Sequence, residues 1–177
     1  MIDRFPTLPD DPLEQDLAAM HQALALAVEA EQMGEVPVGA VVVLDGRILS
    51  QAHNLRETLS DPTAHAERLA ITLAGRSLGT WHLDGCVLYV TLEPCPMCAG
   101  AIVQSRIARV VYGTPDPKAG ACETLYRITT DPRLNHRAAL TAGVLQPECS
   151  QILTNFFKQR RSAKPPVPET SNPGRGA

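Results

Sequence analysis

Apolar and polar positions along this chain follow two periods, and the switches between them mark its elements. Leu13, Leu17, Met20, Leu24 and Val28 recur at steps of four, three, four and four, the stripe of an amphipathic helix covering a sheet face. Asp10 and Asp11 can cap that helix, Pro12 suits its first turn and Gly34 can stop it. Val38 to Leu44 is then a β-rich run, Asp45-Gly46 a two-residue hairpin turn, and Arg47 to Ala52 the returning strand. His53 to Ser60 reads as a polar loop. A helix starts near Asp61-Pro62-Thr63 and runs through Leu69, Ile71 and Leu73 to Gly75.

The second half repeats strand and helix. Cys86 to Thr91 is a compact apolar strand ended by Pro94, Cys95 to Ser105 a helix, and Arg109 to Tyr112 another buried strand closed by Gly113. Strand, helix, strand at this spacing predicts a crossover with parallel strands. Thr114 to Ala121 reads as a loop, Glu123 to Ile128 as a short helix, and Arg137 to Val144 contains a further strand. Glu148 to Arg161 closes the chain with a helix whose apolar side carries Ile152, Leu153, Phe156 and Phe157. The pattern is that of an α/β layered fold. Residues 1–9 read as a flexible arm, 10–161 as one domain, and 162–177, rich in proline and small polar residues, as a disordered tail.

Composition narrows this further. A chain of 177 residues with 44% hydrophobic residues fits one domain with a sizeable core, and 4% aromatics means that core is built from Ala, Val, Leu and Ile. No apolar run approaches the roughly 20 residues of a membrane span. The acidic, proline-bearing start lacks the basic and apolar regions of a signal peptide, so a cytoplasmic location is expected. A net charge of −3 gives no global argument for nucleic acid, and any such binding must come from a local patch. Lys158, Arg160 and Arg161 at the end of the last helix form one, although a solvated helix end has the same composition. Five cysteines in a chain of this size do not suggest a disulfide framework, and a Cys-x-x-Cys in a reducing compartment points to metal or redox chemistry.

That pair is Cys95 and Cys98, in the run Thr91-Leu92-Glu93-Pro94-Cys95-Pro96-Met97-Cys98-Ala99-Gly100. Thirty residues upstream of Cys95 stands His65, in Thr63-Ala64-His65-Ala66-Glu67. Two thiols on the first turn of one helix and an imidazole from another suit zinc, and three protein ligands leave the fourth tetrahedral position for water, as in catalytic sites. Alone, Cys95-x-x-Cys98 could equally be half of a structural zinc site or a redox pair. The redox reading is weakened by His65-x-Glu67. A structural site needs a fourth ligand, and the nearest, Cys86, opens a buried strand where cysteine is usually a small apolar residue. Cys122 and Cys149 read as packing residues, and His53, His82 and His136 as surface or packing histidines. Helix positions i and i+2 point to nearly opposite sides, which keeps Glu67 off the metal and free for acid–base work.

His-x-Glu followed by Pro-Cys-x-x-Cys is the signature of the zinc nucleobase deaminases, and the chain resembles that family and, within it, the bacterial tRNA adenosine deaminases. The matching stretches include Glu35-Val36-Pro37-Val38-Gly39-Ala40, Asp61 to Glu67, Thr91 to Ala101, Ser105-Arg106-Ile107, Arg109 to Gly113, Lys118 to Ala121, Asn135-His136-Arg137 and Phe156 to Arg161. Coverage runs from about Leu13 to Arg161, and Cys122-Glu123-Thr124 departs from the smaller residues of the pattern. The resemblance implies a three-layer α/β/α cytidine-deaminase-like fold with a mixed, roughly five-stranded sheet, one Zn2+ per subunit and a homodimer. It implies conversion of adenosine to inosine at the wobble position of a tRNA anticodon, that of arginine tRNA, with Glu67 shuttling protons. By match, Asn54 holds the target nucleotide, Ala66 and the Cys95 amide contribute backbone contacts, and Asp116 and Phe157 touch flanking nucleotides. Two readings compete with it: a deaminase of a free nucleobase or nucleotide, and a zinc-stabilised RNA-binding subunit without activity, for which Glu67 would have no use.

Overall fold

A computed structural model of the chain describes residues 7–163. Five strands form one sheet in the order β2-β1-β3-β4-β5, from β1 (Gly39–Leu44), β2 (Arg47–His53), β3 (Val87–Leu92), β4 (Arg109–Thr114) and β5 (Ala139–Ala142). The β1–β2 and β1–β3 pairs are antiparallel, whereas β3–β4 and β4–β5 are parallel, so the sheet is mixed, as the sequence leads one to expect. Asp45 and Gly46 both take positive φ, 48° and 71°, the geometry of a tight primed hairpin turn. The central strands are mostly apolar, β1 throughout, because both faces are covered. Val41, Val43, Tyr89 and Val111 face α1 (Pro12–Gln32) and the closing helix α5 (Gln146–Ala163). Ala40, Val42, Leu88, Val90 and Val110 face α3 (Ala66–Leu78) and α4 (Pro96–Gln104).

Helix α1 is capped as its sequence predicts, with Asp11 Oδ1 accepting from Leu13 N and Glu14 N at 3.0 Å. Its buried face overlaps the expected stripe only at Met20 and, in part, Leu24. Ala19, Met20, Ala23, Leu26, Ala27 and Ala30 lie against the sheet, while Leu13, Leu17 and Val28 are exposed. The helix sits so close to β1 that a Cβ on Gly39 would lie 2.0 Å from the Ala23 carbonyl oxygen. Over Gly39 the helix therefore presents small residues, Ala23 and Ala27, and Leu13, Leu17 and Val28 are turned outward. Asp16 also lies on the buried face. It accepts from Tyr89 Oη at 2.8 Å and pairs with Arg109, which joins α1, β3 and β4 through a polar cluster under the sheet.

Other boundaries shift for local reasons. The expected loop 53–60 contains a single helical turn, α2 (Arg56–Leu59), closed by Ser60 in the left-handed region at φ 48°. The short helix expected over Glu123–Ile128 does not form, and only a 3-10 turn at Ile128–Thr130 follows. Its backbone N–H groups at 122–124 are directed instead to the Glu93 carboxylate. In the expected arm, Thr7 bridges to Arg47, and Leu8 N donates to the Gly46 carbonyl at 2.8 Å. Residues 1–6 of that arm and 164–177 of the expected tail lie outside the described residues, and α5 continues through Ser162 and Ala163. Among the described residues no helix is long and apolar enough to cross a membrane.

Candidate active site

The three expected ligands converge from two helix N-termini. His65 and Cys95 are the N-cap residues of α3 and α4, both with extended φ/ψ, and neither side chain caps its own helix. That frees each side chain to turn into the gap between the helices. A turn at Asp61 prepares His65, with Thr63 N and Thr63 Oγ1 each donating to Asp61 Oδ1 at 2.7 Å. Cys98 follows Cys95 in the first turn and is fully buried. His65 Nδ1 lies 3.7 Å from Cys95 Sγ and 3.6 Å from Cys98 Sγ, and the three ligand atoms all fall within 4.8 Å of one another. A tetrahedral zinc with ordinary Zn–S and Zn–N lengths requires nitrogen-to-sulfur separations of about 3.6 Å. The donor set therefore fits zinc, bound by His65, Cys95 and Cys98. Glu67 is not part of the cluster of candidate ligands, although His65, an extended N-cap ahead of the helix, does not set the two side chains on opposite sides of it.

The charges of the cluster agree with that assignment. A hydrogen bond from the Cys98 thiol, opposed by burial and helped by His65, pushes the Cys95 thiol down to about 4. Cys98 is pushed far up, first by the same shared hydrogen, then by burial and by Glu67. His65 is raised by its hydrogen bond with Cys95, against burial. Two sulfurs and a nitrogen sharing protons at these distances are the donor set that a divalent cation takes over by displacing them. Glu67 is 4% exposed, and burial raises its carboxyl above the ordinary range. Its carboxyl meets the Cys98 sulfur, which places an acid–base group at the edge of the metal position.

A cavity of about 570 Å³ opens above these residues. Of the other expected contacts, Asn54, Ala66, Asp116 and Phe157 all line it, with Phe157 41% exposed. Arg161 reaches the cavity, but Arg160 and Lys158 do not. Arg160 donates to the Gly34 carbonyl at 3.3 Å and lies over the Phe156 ring at 5.1 Å, so it ties α5 to the end of α1. Arg56 and Lys118, which the sequence reading did not single out for the site, complete a set of three cations around the opening.

Sequence reasoning also passed over two buried carboxylates. Glu93 is 2% exposed and accepts from the backbone N–H groups of Asp116 (3.1 Å), Cys122 (3.1 Å), Glu123 (2.8 Å) and Thr124 (3.0 Å), and from the Thr124 hydroxyl. Burial works to raise its pKa, yet the Thr124 hydroxyl and the backbone donors outweigh it and hold it below the ordinary carboxylate range. A Cβ on Gly120 would lie 2.2 Å from Glu93 Oε2, so the loop closes on the carboxylate only with glycine there. Glu93 thus fixes the wall that carries Asp116 and Lys118. Glu93→Ala should lower unfolding stability by about 3 kcal/mol or more, because several buried N–H groups lose a charged acceptor at once. Chemical denaturation checks this, and a loss below about 1 kcal/mol would contradict it. Glu35 plays the same part for the opposite wall. The signal for both was a carboxylate inside an apolar run at an element boundary, which must be partnered if buried.

With fold and site in place, comparison with known proteins decides the family. Residues 13–114 match the cytidine and deoxycytidylate deaminase zinc-binding region. This chain belongs to that deaminase family. The tRNA-specific adenosine deaminase of Bacillus subtilis is 51% identical over 152 residues, covering 86% of this deaminase and 94% of that protein. The tRNA-specific adenosine deaminase of Haemophilus influenzae is 48% identical over 152 residues, covering 85% and 88%. A solved chain from structural studies of A-to-I editing by tRNA:A34 deaminases at the wobble position superimposes with a TM-score of 0.75 at 45% identity, covering 77% of this deaminase and 99% of that chain. The guanine deaminase of Nitrosomonas europaea, at 22% identity and a TM-score of 0.66, covering 89% and 90%, shares the fold. The deaminase is a zinc-dependent enzyme by family and by its ligand set.

Proposed function

We propose that this deaminase converts adenosine to inosine at the wobble position of a tRNA anticodon, that of arginine tRNA, as a cytoplasmic homodimer. The observation that carries the reading is the floor of the cavity: a buried Glu67 beside the ligand trio, under an opening ringed by Arg56, Lys118 and Arg161 with Phe157 exposed at its wall. Deep chemistry below a cationic, aromatic-bearing mouth suits a base presented by a polyanion. The similarity to tRNA-specific and tRNA:A34 deaminases supports the same substrate class. Exposed apolar side chains such as Leu73 and Trp81 are consistent with a covered face in a dimer of twice the 19.1 kDa chain.

In the mechanism, a bound zinc supplies a lowered pKa for water, from about 15.7 toward 7. Glu67 takes the proton of the attacking water and returns it to N1 of the purine as C6 becomes tetrahedral. It then carries the water's second proton to the departing amine, so that one water is consumed, ammonia leaves and the ring keeps a carbonyl. Burial excludes bulk water from this exchange, and the first turn of α3 fixes where the carboxyl stands. The anticodon loop supplies what a duplex cannot, a base already free of its stack.

The arginine assignment is tested by incubating candidate tRNAs with the protein and sequencing their wobble base, where inosine reads as guanosine. Conversion confined to another tRNA contradicts that assignment alone. The mouth is tested separately. Phe157→Ala should weaken stem-loop binding by about 1–3 kcal/mol if a base stacks on the ring. Arg161→Ala should weaken binding and reduce its salt dependence, whereas Arg160→Ala, which loses its contacts to Gly34 and Phe156, should leave the salt slope unchanged. Equal salt slopes for all three proteins would remove Arg161 from the interface. Sedimentation of the free protein checks the dimer.

A further inference from the structure

Glu35 lies between α1 and β1 and is fully buried. Its Oε1 accepts from Thr58 N at 2.7 Å, and its Oε2 accepts from Glu57 N at 3.2 Å and from Asn54 Nδ2 at 3.1 Å. None of the three partners leaves room for another arrangement. Backbone N–H groups only donate, and an ionised carboxylate only accepts. The Asn54 side chain, 5% exposed and lining the cavity, must therefore turn its NH2 to Glu35. The Asn54 backbone is held as well, with its N–H donating to the Val38 carbonyl at 3.0 Å and its carbonyl 2.9 Å from His53 Nδ1. Among the described residues no donor is bonded to Asn54 Oδ1, which is left to the cavity as an acceptor.

An acceptor fixed in this way selects its ligand by chemistry. An adenosine inside an RNA chain offers few donors. Its ring nitrogens N1, N3 and N7 accept, its 3′ and 5′ oxygens are esterified, and its amine is the group that must face the zinc ligands and Glu67. The remaining donor is the 2′-hydroxyl, the group by which a protein tells RNA from DNA. Resting on the adenosine reading above, we propose that Glu35 is a positioning residue that fixes the Asn54 amide so that Oδ1 accepts from the 2′-hydroxyl of the target nucleotide, making the pair a ribose selector. Glu35 touches no substrate, and its effect passes entirely through Asn54 and the 54–58 turn.

The test uses two anticodon stem-loops that differ only in carrying adenosine or 2′-deoxyadenosine at the target position. Wild-type protein should show a kcat/KM about tenfold or more higher for the ribose form, the effect of leaving a buried acceptor unpaired. In N54A the ribose form should fall to the level of the deoxy form and the ratio should approach one. In E35Q one of the three donors must face an NH2, so the Asn54 amide loses its single orientation and the ratio should drop to a few-fold while zinc content is unchanged. A merely structural Glu35 would lower both substrates alike and keep the ratio. A wild-type ratio near one, a ratio that survives in N54A, or an E35Q variant with the full ratio would overturn the proposal. These read differently from failure of the function itself, in which wild type would not deaminate the ribose stem-loop at all and both readings would fall. If E35Q does not fold, the wild-type and N54A ratios decide.

Discussion

Replacing Glu67 with alanine should reduce turnover by about 10⁴-fold while fold and zinc content remain close to those of the parent. A positioned acid–base group contributes about 10²–10⁴ in rate, and in the proposed mechanism one carboxyl serves every proton transfer, which places the loss at the upper end. The geometry separates that role from metal binding. Glu67 stands two residues after His65 and outside the cluster of candidate ligands, so zinc keeps its three protein ligands without it. Stability should hold or rise, since the variant no longer buries a carboxyl whose charged form the site disfavours. Turnover under substrate saturation and metal analysis of the same preparation are the measurements. A variant retaining a tenth of parental turnover would exclude Glu67 as the proton carrier.

Cys98→Ala should do the reverse, removing zinc first and activity with it. Two ligands, His65 and Cys95, would be left of the three, the buried Cys98 sulfur being lost. Because a metal that binds the folded state alone stabilises it by about 4 kcal/mol at a thousand times its Kd, the loss has a thermal signature. Wild-type protein should lose Tm on chelation, and Cys98→Ala should start near that lower value and respond little to chelator. Full zinc content in the variant would contradict the three-ligand site.

What the sequence made legible follows from how local each signal is. The hairpin at Asp45-Gly46, the β3–α4–β4 crossover and the ligand pattern rest on short motifs such as Asp-Gly, His-x-Glu and Cys-x-x-Cys or on consecutive elements, and each is found where expected. The face of α1 was misread because Leu13, Leu17 and Val28 outweigh alanines in any hydrophobic pattern, whereas the contact itself is set by the absence of a side chain at Gly39, on another element. The course of residues 122–124 was hidden for the same kind of reason: Glu93, some thirty positions earlier, takes the hydrogen bonds that a helix would otherwise use. Glu35 and Glu93 stood inside stretches quoted for their resemblance, but a carboxylate's partners are visible only once the chain is folded. The basic cluster at the end of α5 shows the limit of composition. Of three cations within four residues, one faces the cavity, one ties two helices together and one lies on an outer face.

The central claim concerns the substrate, and one competition measures it. An arginine-tRNA anticodon stem-loop, free adenosine, cytidine and guanine are supplied at equal concentration to the zinc-loaded protein, and inosine, uridine and xanthine are quantified over time. The account predicts inosine in the stem-loop with no turnover of the free compounds, because the cations and Phe157 at the cavity mouth can act only on a chain that extends beyond the target base. Faster deamination of any free nucleoside or nucleobase than of the stem-loop would contradict it and assign the site to a salvage reaction.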